Sequence, residues 1–373
     1  MAVITPEIEH ARSAGLRYVD DGIPGITRKR TRAGFAFFNP AGKKITDASE
    51  VARIKALAIP PAYEHVWISP VPNGHMQATA RDARGRKQYR YHKRWREVRD
   101  ATKYDKIVEF GSRLPALRAR VGTDLKLACM NKDKVIATVV RMLDDTHMRV
   151  GNETYARDND SYGLTTLRAR HVRIEGDKRI RLNFRGKSGV EHQLTIDDKR
   201  LAKTVMRCRN LPGELLFTYL DDEGAPQPVH SEDVNAYLRE TMEGEFSAKV
   251  FRTFAGTVIC ATHLAKAPAV ETLAEAKAHI KHAVELTAKR LGNTPSVCRK
   301  SYVHPAVLDH YTDDRRLDLP DAPVTPGLDA DESRVLAYLM QLKHRDESYD
   351  SAKRVRLLQR SVRSARATAK TVP

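Results

Sequence analysis

The middle and the C-terminal third of this sequence place arginine, lysine and tyrosine at the ends of predicted segments. Together these residue types can transfer a phosphoryl group. The reaction needs the charge on the non-bridging oxygens neutralised, an attacking atom in line, and a proton for the leaving oxygen. Arginine suits the first task, because its planar guanidinium donates two hydrogen bonds to a phosphate and stays protonated. Tyrosine can be a covalent nucleophile. Two arginines, a lysine and a tyrosine could therefore perform the reaction without a metal ion.

Motifs for several other chemistries are missing. There is no GxxxxGK[ST] loop for nucleotide phosphates, so ATP use is not expected. No HExxH motif or cluster of carboxylates marks a divalent-metal site. The 4 cysteines are far apart and form no CxxC pair, which argues against a zinc ribbon and a redox pair. We expect neither a cofactor nor a metal ion. Composition cannot choose the nucleophile, because the chain has 13 tyrosines.

The net charge favours a polyanionic partner. The 373 residues carry a formal charge of +18, which fits DNA, RNA or an anionic membrane surface. The alternative is a solvated basic protein without such a partner. No stretch approaches the ~20 apolar residues of a membrane span, and the N-terminus lacks the features of a secretory signal. We therefore expect a cytoplasmic protein, nucleoid-associated if bacterial.

The order of predicted elements indicates an α+β protein. Residues 1–95 are rich in strand patterns, including a hairpin over 77–91 that turns near 83–85. Helical periodicity dominates 96–317, where Asn131, Ser231 and Ser247 are candidate helix caps.

Three alternating segments at about 170–196 interrupt the helical part and predict a three-stranded antiparallel sheet. Residues 318–373 are predicted to be a linker rich in Asp and Pro followed by a basic tail after about 352. The predicted organisation is a small β-rich N-terminal domain, a larger helical domain and this C-terminal extension.

From about 131 to 311 the chain closely resembles the catalytic domain of type IB DNA topoisomerases, in their compact poxvirus-like and bacterial form. The matching segments are RVGNE at 149–153, YGLTTLRARHV at 162–172, FRGK at 184–187, KVFRT at 249–253 and TPSVCRKSY at 294–302. They occur in the family's order, and jointly they are far more specific than any one alone. The hairpin RGRKQYRY at 84–91 also resembles the family's DNA-contacting β-domain. The resemblance does not extend to the basic tail predicted after about residue 352.

The resemblance implies a role for each matched position. Tyr302 matches the nucleophile, which leaves a 3′-phosphotyrosyl bond and a free 5′-hydroxyl. Arg149 and Arg252 match the arginines that grip the scissile phosphate. Lys187 matches the general acid that protonates the departing 5′-oxygen. Lys249 matches a second lysine of the proton-donating network, three residues before Arg252 and thus on the same face of a helix.

One position departs from the family's pattern. Many members have a histidine in the loop before the nucleophile, where this chain has Asn293. An asparagine amide donates only as a neutral group, and charge-assisted hydrogen bonds are roughly twice as strong as neutral ones. We expect Asn293 to keep the phosphate contact with less electrostatic stabilisation.

Candidate DNA contacts outside the active site are less specific. Positions that match or adjoin DNA-touching residues of the family are Arg86, Gln88, Tyr89, Tyr91, Asn152 and Tyr155. A glutamine can read adenine in a major groove, and a tyrosine can pack on sugar or base. The alternative for Tyr89 and Tyr91 is that they are ordinary sheet aromatics packing on a core.

The resemblance implies a monomeric two-domain clamp that closes around duplex DNA, nicks one strand, allows rotation and reseals it without ATP or metal. Two alternatives stay open. A site-specific tyrosine recombinase shares the chemistry but assembles as tetramers on paired sites. A non-catalytic architectural DNA-binding protein would share the charge, although suitable side chains at every matched catalytic position except Asn293 argue against it.

Overall fold

The computed structural model describes residues 6–32 and 34–345, so the basic tail predicted after residue 352 lies outside the described residues. The chain divides into two compact units, one ending at Tyr104 and the other beginning at Asp105. Helices alternate with small antiparallel sheets, in agreement with the predicted α+β class. None of the helices described is both long and apolar enough to cross a bilayer.

The N-terminal unit is built on two antiparallel sheets and a short hydrophobic core. Its elements are α1 (Pro6–Ser13), β1 (Thr27–Thr31), β2 (Gly34–Phe38), α2 (Ala48–Ala56), β3 (Glu64–Ile68), β4 (Met76–Arg81) and β5 (Lys87–Tyr91). Strands β1 and β2 pair with each other, while β4 lies between β3 and β5. Ile26, Phe37, Ile54 and Ile68 are buried together in its core. The predicted hairpin is confirmed, with Gly85 at a φ of 72° in the turn between β4 and β5.

Helix α3 (Lys93–Asp124) includes residues of both units. The elements that follow are α4 (Lys132–Thr146), α5 (Glu153–Asn159), β6 (Val172–Glu175), β7 (Arg179–Arg185), β8 (Glu191–Asp197), α6 (Lys199–Arg209), β9 (Thr218–Leu220), β10 (Pro226–Pro228), α7 (Ser231–Met242), α8 (Lys249–Lys266), α9 (Leu273–Leu291), α10 (Pro295–Ser301) and α11 (Pro305–Asp314). Residues 330–345 form a further helix, α12.

The predicted three-stranded meander is confirmed as the antiparallel sheet β6-β7-β8. Strand β7 alternates strictly between exposed and buried residues, with Ile180, Leu182 and Phe184 on the buried face. Successive side chains of a strand point to opposite faces, so this alternation fixes which face of the sheet meets the core. The connection from β7 to β8 follows directly from this strand, and it carries Lys187.

Helix caps were predicted correctly in one case of three. The Asn131 side chain accepts a hydrogen bond from the Lys134 amide at 3.2 Å and caps α4. Ser231 is wrong as the cap of α7, because it is the first residue of that helix. The cap is His230, whose amide donates to the Asp233 carboxylate at 2.9 Å. Ser247 is wrong for α8, which begins after Ala248 without a side-chain cap.

The prediction that residues 318–373 are only linker and tail is wrong for α12. Val335, Leu336 and Leu339 on this helix are buried. A Cβ placed on Gly111 of α3 would lie 2.9 Å from Leu336, which shows how closely the two helices pack. The Asp-rich and Pro-rich sequence before α12 suggested a linker, so the apolar face of the helix was not recognised. Burial of that face fixes α12 to the domain.

Leu339→Ala is therefore expected to lower the free energy of unfolding by about 2–5 kcal/mol, the usual cost of truncating a leucine in a packed core. Its neighbour provides a matched control: Leu339 is 2% exposed, whereas Met340 is 37% exposed. Met340→Ala should change stability by less than about 1 kcal/mol. Urea unfolding of both variants measures the difference, and equal small effects would show that α12 is not part of the core.

Candidate active site

A cleft of about 220 Å³ in the C-terminal unit collects several of the predicted catalytic residues. Its walls come from the end of α4, the β7–β8 connection, α8 and the end of α9. Arg149, Lys187 and Arg252 all line it, although they are far apart in sequence. These three cations make the cleft a suitable place for a phosphate group.

Arg149 is held by an irregular segment that follows α4. The helix ends at Thr146, and His147 after it has a φ of 55°, which turns the chain sharply. Two residues later the Arg149 carbonyl accepts a hydrogen bond from the Leu164 amide at 3.0 Å. A Cβ on Gly163 would lie 2.6 Å from the Cα of Gly151, so only glycine allows the two segments to approach this closely. The backbone on both sides of Arg149 is thus fixed.

Arg252 lies on α8 and is 3% exposed. Its Nη2 donates to the Leu291 carbonyl at 2.7 Å, and its Nη1 donates to the His147 carbonyl. The guanidinium therefore joins the ends of α4 and α9. Its buried Nε has no hydrogen-bond partner among the described residues. A buried donor without a hydrogen-bond acceptor lowers stability, so this N–H is a candidate to bind a phosphate oxygen.

Tyr302 follows the last residue of α10 and is 7% exposed. The guanidinium carbon of Arg252 lies 4.9 Å from the centre of its ring. A Cβ on Gly256 of α8 would lie 2.6 Å from the Tyr302 carbonyl oxygen, so this glycine lets the tyrosine approach α8.

The pKa of Tyr302 lies below the ordinary value for a tyrosine. Burial alone raises this pKa, but the positive charges of Arg252, Arg149 and Lys249 outweigh it and favour the phenolate. A more acidic phenol is a better nucleophile near neutral pH, because a larger fraction of it is ionised.

Asn293 contacts Arg149, which lines the cleft, but Asn293 itself does not line it. Helix α9 ends at Leu291, and Gly292 after it has a φ of 61°, which turns the chain so that Asn293 follows in the loop before α10. The Asn293 Oδ1 accepts a hydrogen bond from Arg149 Nη2 at 2.8 Å. Its buried Nδ2 has no partner among the described residues. The amide can therefore orient the arginine with its oxygen and offer its N–H groups to a phosphate.

These two functions can be separated by substitution. Asn293→Ala removes both and is expected to slow single-turnover DNA cleavage by about 10–100-fold, since hydrogen bonds to charged groups contribute ~1.5–3 kcal/mol. Asn293→Asp keeps the acceptor for Arg149 but places a negative charge beside the phosphate, so it should be slower than Asn293→Ala. Ser296→Ala, at an exposed position on α10, is the control. A wild-type rate for Asn293→Asp would contradict a donor role.

The two predicted lysines differ in position. Lys187 is exposed in the short helical turn Lys187–Gly189, where Ser188 has a φ of 65°. Its Nζ lies 5.7 Å from the centre of the Tyr155 ring. Lys249 is the exposed first residue of α8 and does not line the cleft. Its positive charge nevertheless contributes to lowering the pKa of Tyr302. The proposed proton-donating role of each lysine stays a prediction.

His192 also lines the cleft, although sequence reasoning did not identify it. Its ring is stacked on Phe184, with 5.0 Å between the ring centres. A Cβ on Gly186 or on Gly292 would lie 2.6 Å from this imidazole. The ring thus fills the space between the residue before Lys187 and the residue before Asn293. The alternation of residues along β8 could have identified it, because that alternation places His192 on the same face as buried Ile196.

Two histidines beside the cleft are held neutral at neutral pH. Burial lowers the pKa of His192, and the positive charges of Arg149 and Arg252 lower it further. Burial likewise lowers the pKa of His147 to about 4, with a further contribution from Arg290. The fixed positive charge of the cleft is therefore carried by arginine and lysine, whose charges persist through the physiological pH range.

Candidate DNA contacts in the N-terminal unit lie on the β4–β5 hairpin. Arg86 pairs with Asp82 at 2.7 Å, and the Gln88 amide donates to the same carboxylate at 3.0 Å. Tyr89 is 47% exposed and is stacked on Tyr91, with ring centres 6.0 Å apart. Tyr91 packs against a buried cluster. The core-packing alternative therefore fits Tyr91, whereas Tyr89 presents a ring to solvent.

The other two candidates lie near Lys187. The Asn152 side chain accepts a hydrogen bond from the Tyr155 amide at 3.0 Å and caps α5. Tyr155 is 40% exposed and faces the Lys187 ammonium group. Asn152 thus has a structural function of its own, while Tyr155 forms part of the surface around the cleft.

Comparison with known proteins identifies the family. Residues 92–317 match the family described as eukaryotic DNA topoisomerase I, catalytic core, and residues 34–82 match bacterial DNA topoisomerase IB, N-terminal domain. The chain is 34% identical to DNA topoisomerase 1B of Acanthamoeba polyphaga mimivirus over 294 residues, which cover 77% of this chain and 87% of that protein. It is 22% identical to DNA topoisomerase 1B of Vaccinia virus (strain Copenhagen) over 261 residues, which cover 69% of this chain and 78% of that protein. The chain therefore belongs to the type IB DNA topoisomerase family.

Proposed function

We propose that this chain relaxes supercoiled duplex DNA by cutting one strand, allowing rotation and resealing the break through a covalent tyrosine intermediate. The observation that carries the proposal is the position of Tyr302, 4.9 Å from the Arg252 guanidinium. The surrounding cations lower the pKa of this phenol. The family membership agrees with this chemistry.

In the proposed cleavage step, the Tyr302 oxygen attacks the phosphorus and the bond from phosphorus to the 5′-oxygen breaks. The phenol passes its proton to solvent water, a transfer that its lowered pKa makes easier. Arg149 and Arg252 neutralise charge on the non-bridging oxygens, with Asn293 orienting Arg149. Lys187 donates a proton to the departing 5′-oxygen, which leaves as a hydroxyl. Religation reverses these transfers.

The phosphotyrosyl bond would conserve the energy of the broken phosphodiester. Resealing then needs neither ATP nor a metal ion, and supercoil torque drives rotation. We propose that the protein acts as a monomer and that the N-terminal domain and the catalytic domain (residues 96–317) close around double-stranded DNA. The charge of +18 and the exposed ring of Tyr89 support a DNA contact.

Incubation of purified protein with a negatively supercoiled plasmid in EDTA tests the function. A ladder of progressively relaxed topoisomers is the expected product. Products joined only at a specific pair of sites would instead indicate a recombinase. Binding without any change in linking number would indicate an architectural protein. Either of the last two results would overturn the proposal.

A further inference from the structure

His192 lines the catalytic cleft, but the cleavage step described above gives it no role. It lies on β8 directly opposite Phe184 of β7. The two rings are stacked, with 5.0 Å between their centres and 11° between their planes. Cross-strand pairs of this kind stabilise the orientation of both side chains. Because Phe184 is buried, the imidazole is fixed to the sheet.

The imidazole contacts the Lys187 turn, residues 186–190. A Cβ built on Gly186 would lie 2.6 Å from both Cδ2 and Nε2 of His192, closer than two such atoms can approach. Lys187 and Ser188, which follow, are exposed to solvent. The buried end of an otherwise exposed turn is therefore packed directly on the imidazole.

The same ring also contacts the Asn293 loop, between α9 and α10. A Cβ built on Gly292 would lie 2.6 Å from Cε1 of His192. This loop is anchored on both sides of the peptide backbone: the Asn293 amide donates to the Ala288 carbonyl of α9 at 2.9 Å, and the Asn293 side chain accepts from Arg149 at 2.8 Å. One imidazole thus lies between an exposed turn and an anchored loop.

The position of the Lys187 turn matters because a general acid must lie close to the oxygen that it protonates. The lysine side chain is long and flexible, so the reach of its ammonium group depends on where its backbone is held. A misplacement of about 1 Å can slow a reaction by about 10²-fold. Without the imidazole, the space between Gly186 and Gly292 would be open, and the turn could move into it.

We propose that His192 is a positioning residue for the cleavage step, and that its ring holds the Lys187 turn at a fixed distance from the Asn293 loop. With the ring in place, the Lys187 ammonium group reaches the departing 5′-oxygen while Arg149, oriented by Asn293, holds a non-bridging oxygen of the same phosphate. The imidazole acts through Lys187 and transfers no proton itself. This inference rests on the proposed function, which supplies the step that the imidazole supports.

A substrate that needs no general acid tests this role. DNA with sulfur in place of the bridging 5′-oxygen releases a thiolate, which leaves without a proton. His192→Ala is expected to slow single-turnover adduct formation on ordinary DNA by about 10–100-fold. On the sulfur substrate its rate should lie within about 3-fold of the unsubstituted chain on the same DNA. Combined with Lys187→Ala, it should slow the reaction by no more than a further ~3-fold, because residues that act in one step are not additive.

Gly186→Ala tests the same contact from the side of the turn. Gly186 has a φ of −96°, which any residue can adopt, so the clash between the new Cβ and the imidazole is the expected effect. In the chain that keeps His192, this substitution should slow cleavage of ordinary DNA by about 10-fold or more, and sulfur should restore the rate. In the chain with His192→Ala it should slow cleavage by no more than a further ~3-fold. Equal slowing in both chains would show that the ring does not set the position of the turn, and would overturn the proposal.

His279→Ala is the matched control. His279 is a half-buried histidine of α9 that hydrogen-bonds to Tyr311 at 2.6 Å and does not line the cleft. This variant should cleave both substrates at the normal rate, and thermal melting checks that every variant is folded. Equal slowing of His192→Ala on both substrates, or normal rates on both, would overturn the positioning role and leave the proposed function standing. If the unsubstituted chain forms no adduct, the proposed function fails, and this inference fails with it.

Discussion

Tyr302→Phe is expected to bind duplex DNA as tightly as the unsubstituted protein and to form no covalent adduct. The substitution removes only the phenolic oxygen, which is the proposed attacking atom, and leaves the ring beside Arg252. Relaxation of a supercoiled plasmid should fall below detection. The measurement is a denaturing gel of protein mixed with end-labelled duplex, in which a covalent adduct migrates with the protein.

A second buried tyrosine provides the control for this experiment. Tyr338 and Tyr302 are both 7% exposed, but the Tyr338 hydroxyl hydrogen-bonds to His310 of α11 at 2.8 Å, whereas the Tyr302 ring lies beside Arg252. Tyr338→Phe should therefore form the adduct at the normal rate. If the adduct persists in Tyr302→Phe, or disappears in Tyr338→Phe alone, the assignment of the nucleophile is wrong.

Lys187→Ala is expected to slow cleavage of ordinary DNA by about 10²–10⁴-fold, the usual contribution of a positioned general acid. A substrate with sulfur in place of the bridging 5′-oxygen should restore most of the rate, because a thiolate leaves without a proton. The comparison uses single-turnover rates of adduct formation on the two substrates. Lack of rescue by sulfur would argue that Lys187 binds the phosphate rather than protonating the leaving group.

Another lysine of the same sheet controls for loss of charge. Lys178 is exposed in the turn between β6 and β7, at the opposite end of the meander from Lys187. Lys178→Ala removes one positive charge without changing the catalytic cleft. It should lower DNA affinity slightly, by about one phosphate contact at most, and leave cleavage of bound DNA unchanged on both substrates.

The sequence by itself determined the local structure around several of these residues. The three alternating segments at about 170–196 predicted the meander, because side chains of a strand alternate between two sides. Asn131 was identifiable as a cap from its position before a helical pattern. The family resemblance selected Tyr302 from 13 tyrosines, which no property of that residue alone could do.

Other features depended on contacts between distant segments. Arg149 and Asn293 are separated by 144 positions, and only their packing showed that the asparagine oxygen holds the arginine. His192 fills a gap between two glycines on different elements. Helix α12 was not predicted, because the sequence before it has a linker-like composition; the structure shows that its apolar face is buried. Lys249 shares a helix with Arg252, yet it does not line the cleft.

The difference between the features that the sequence predicted and those that only the structure showed has a physical reason. Helix and strand patterns and caps arise from interactions between residues a few positions apart, so the residue types and their spacing were enough to predict them. The catalytic cleft arises where helix ends, a hairpin and loops from distant positions meet. Which charges face each other there is decided by the packing of the core, which only the tertiary structure shows.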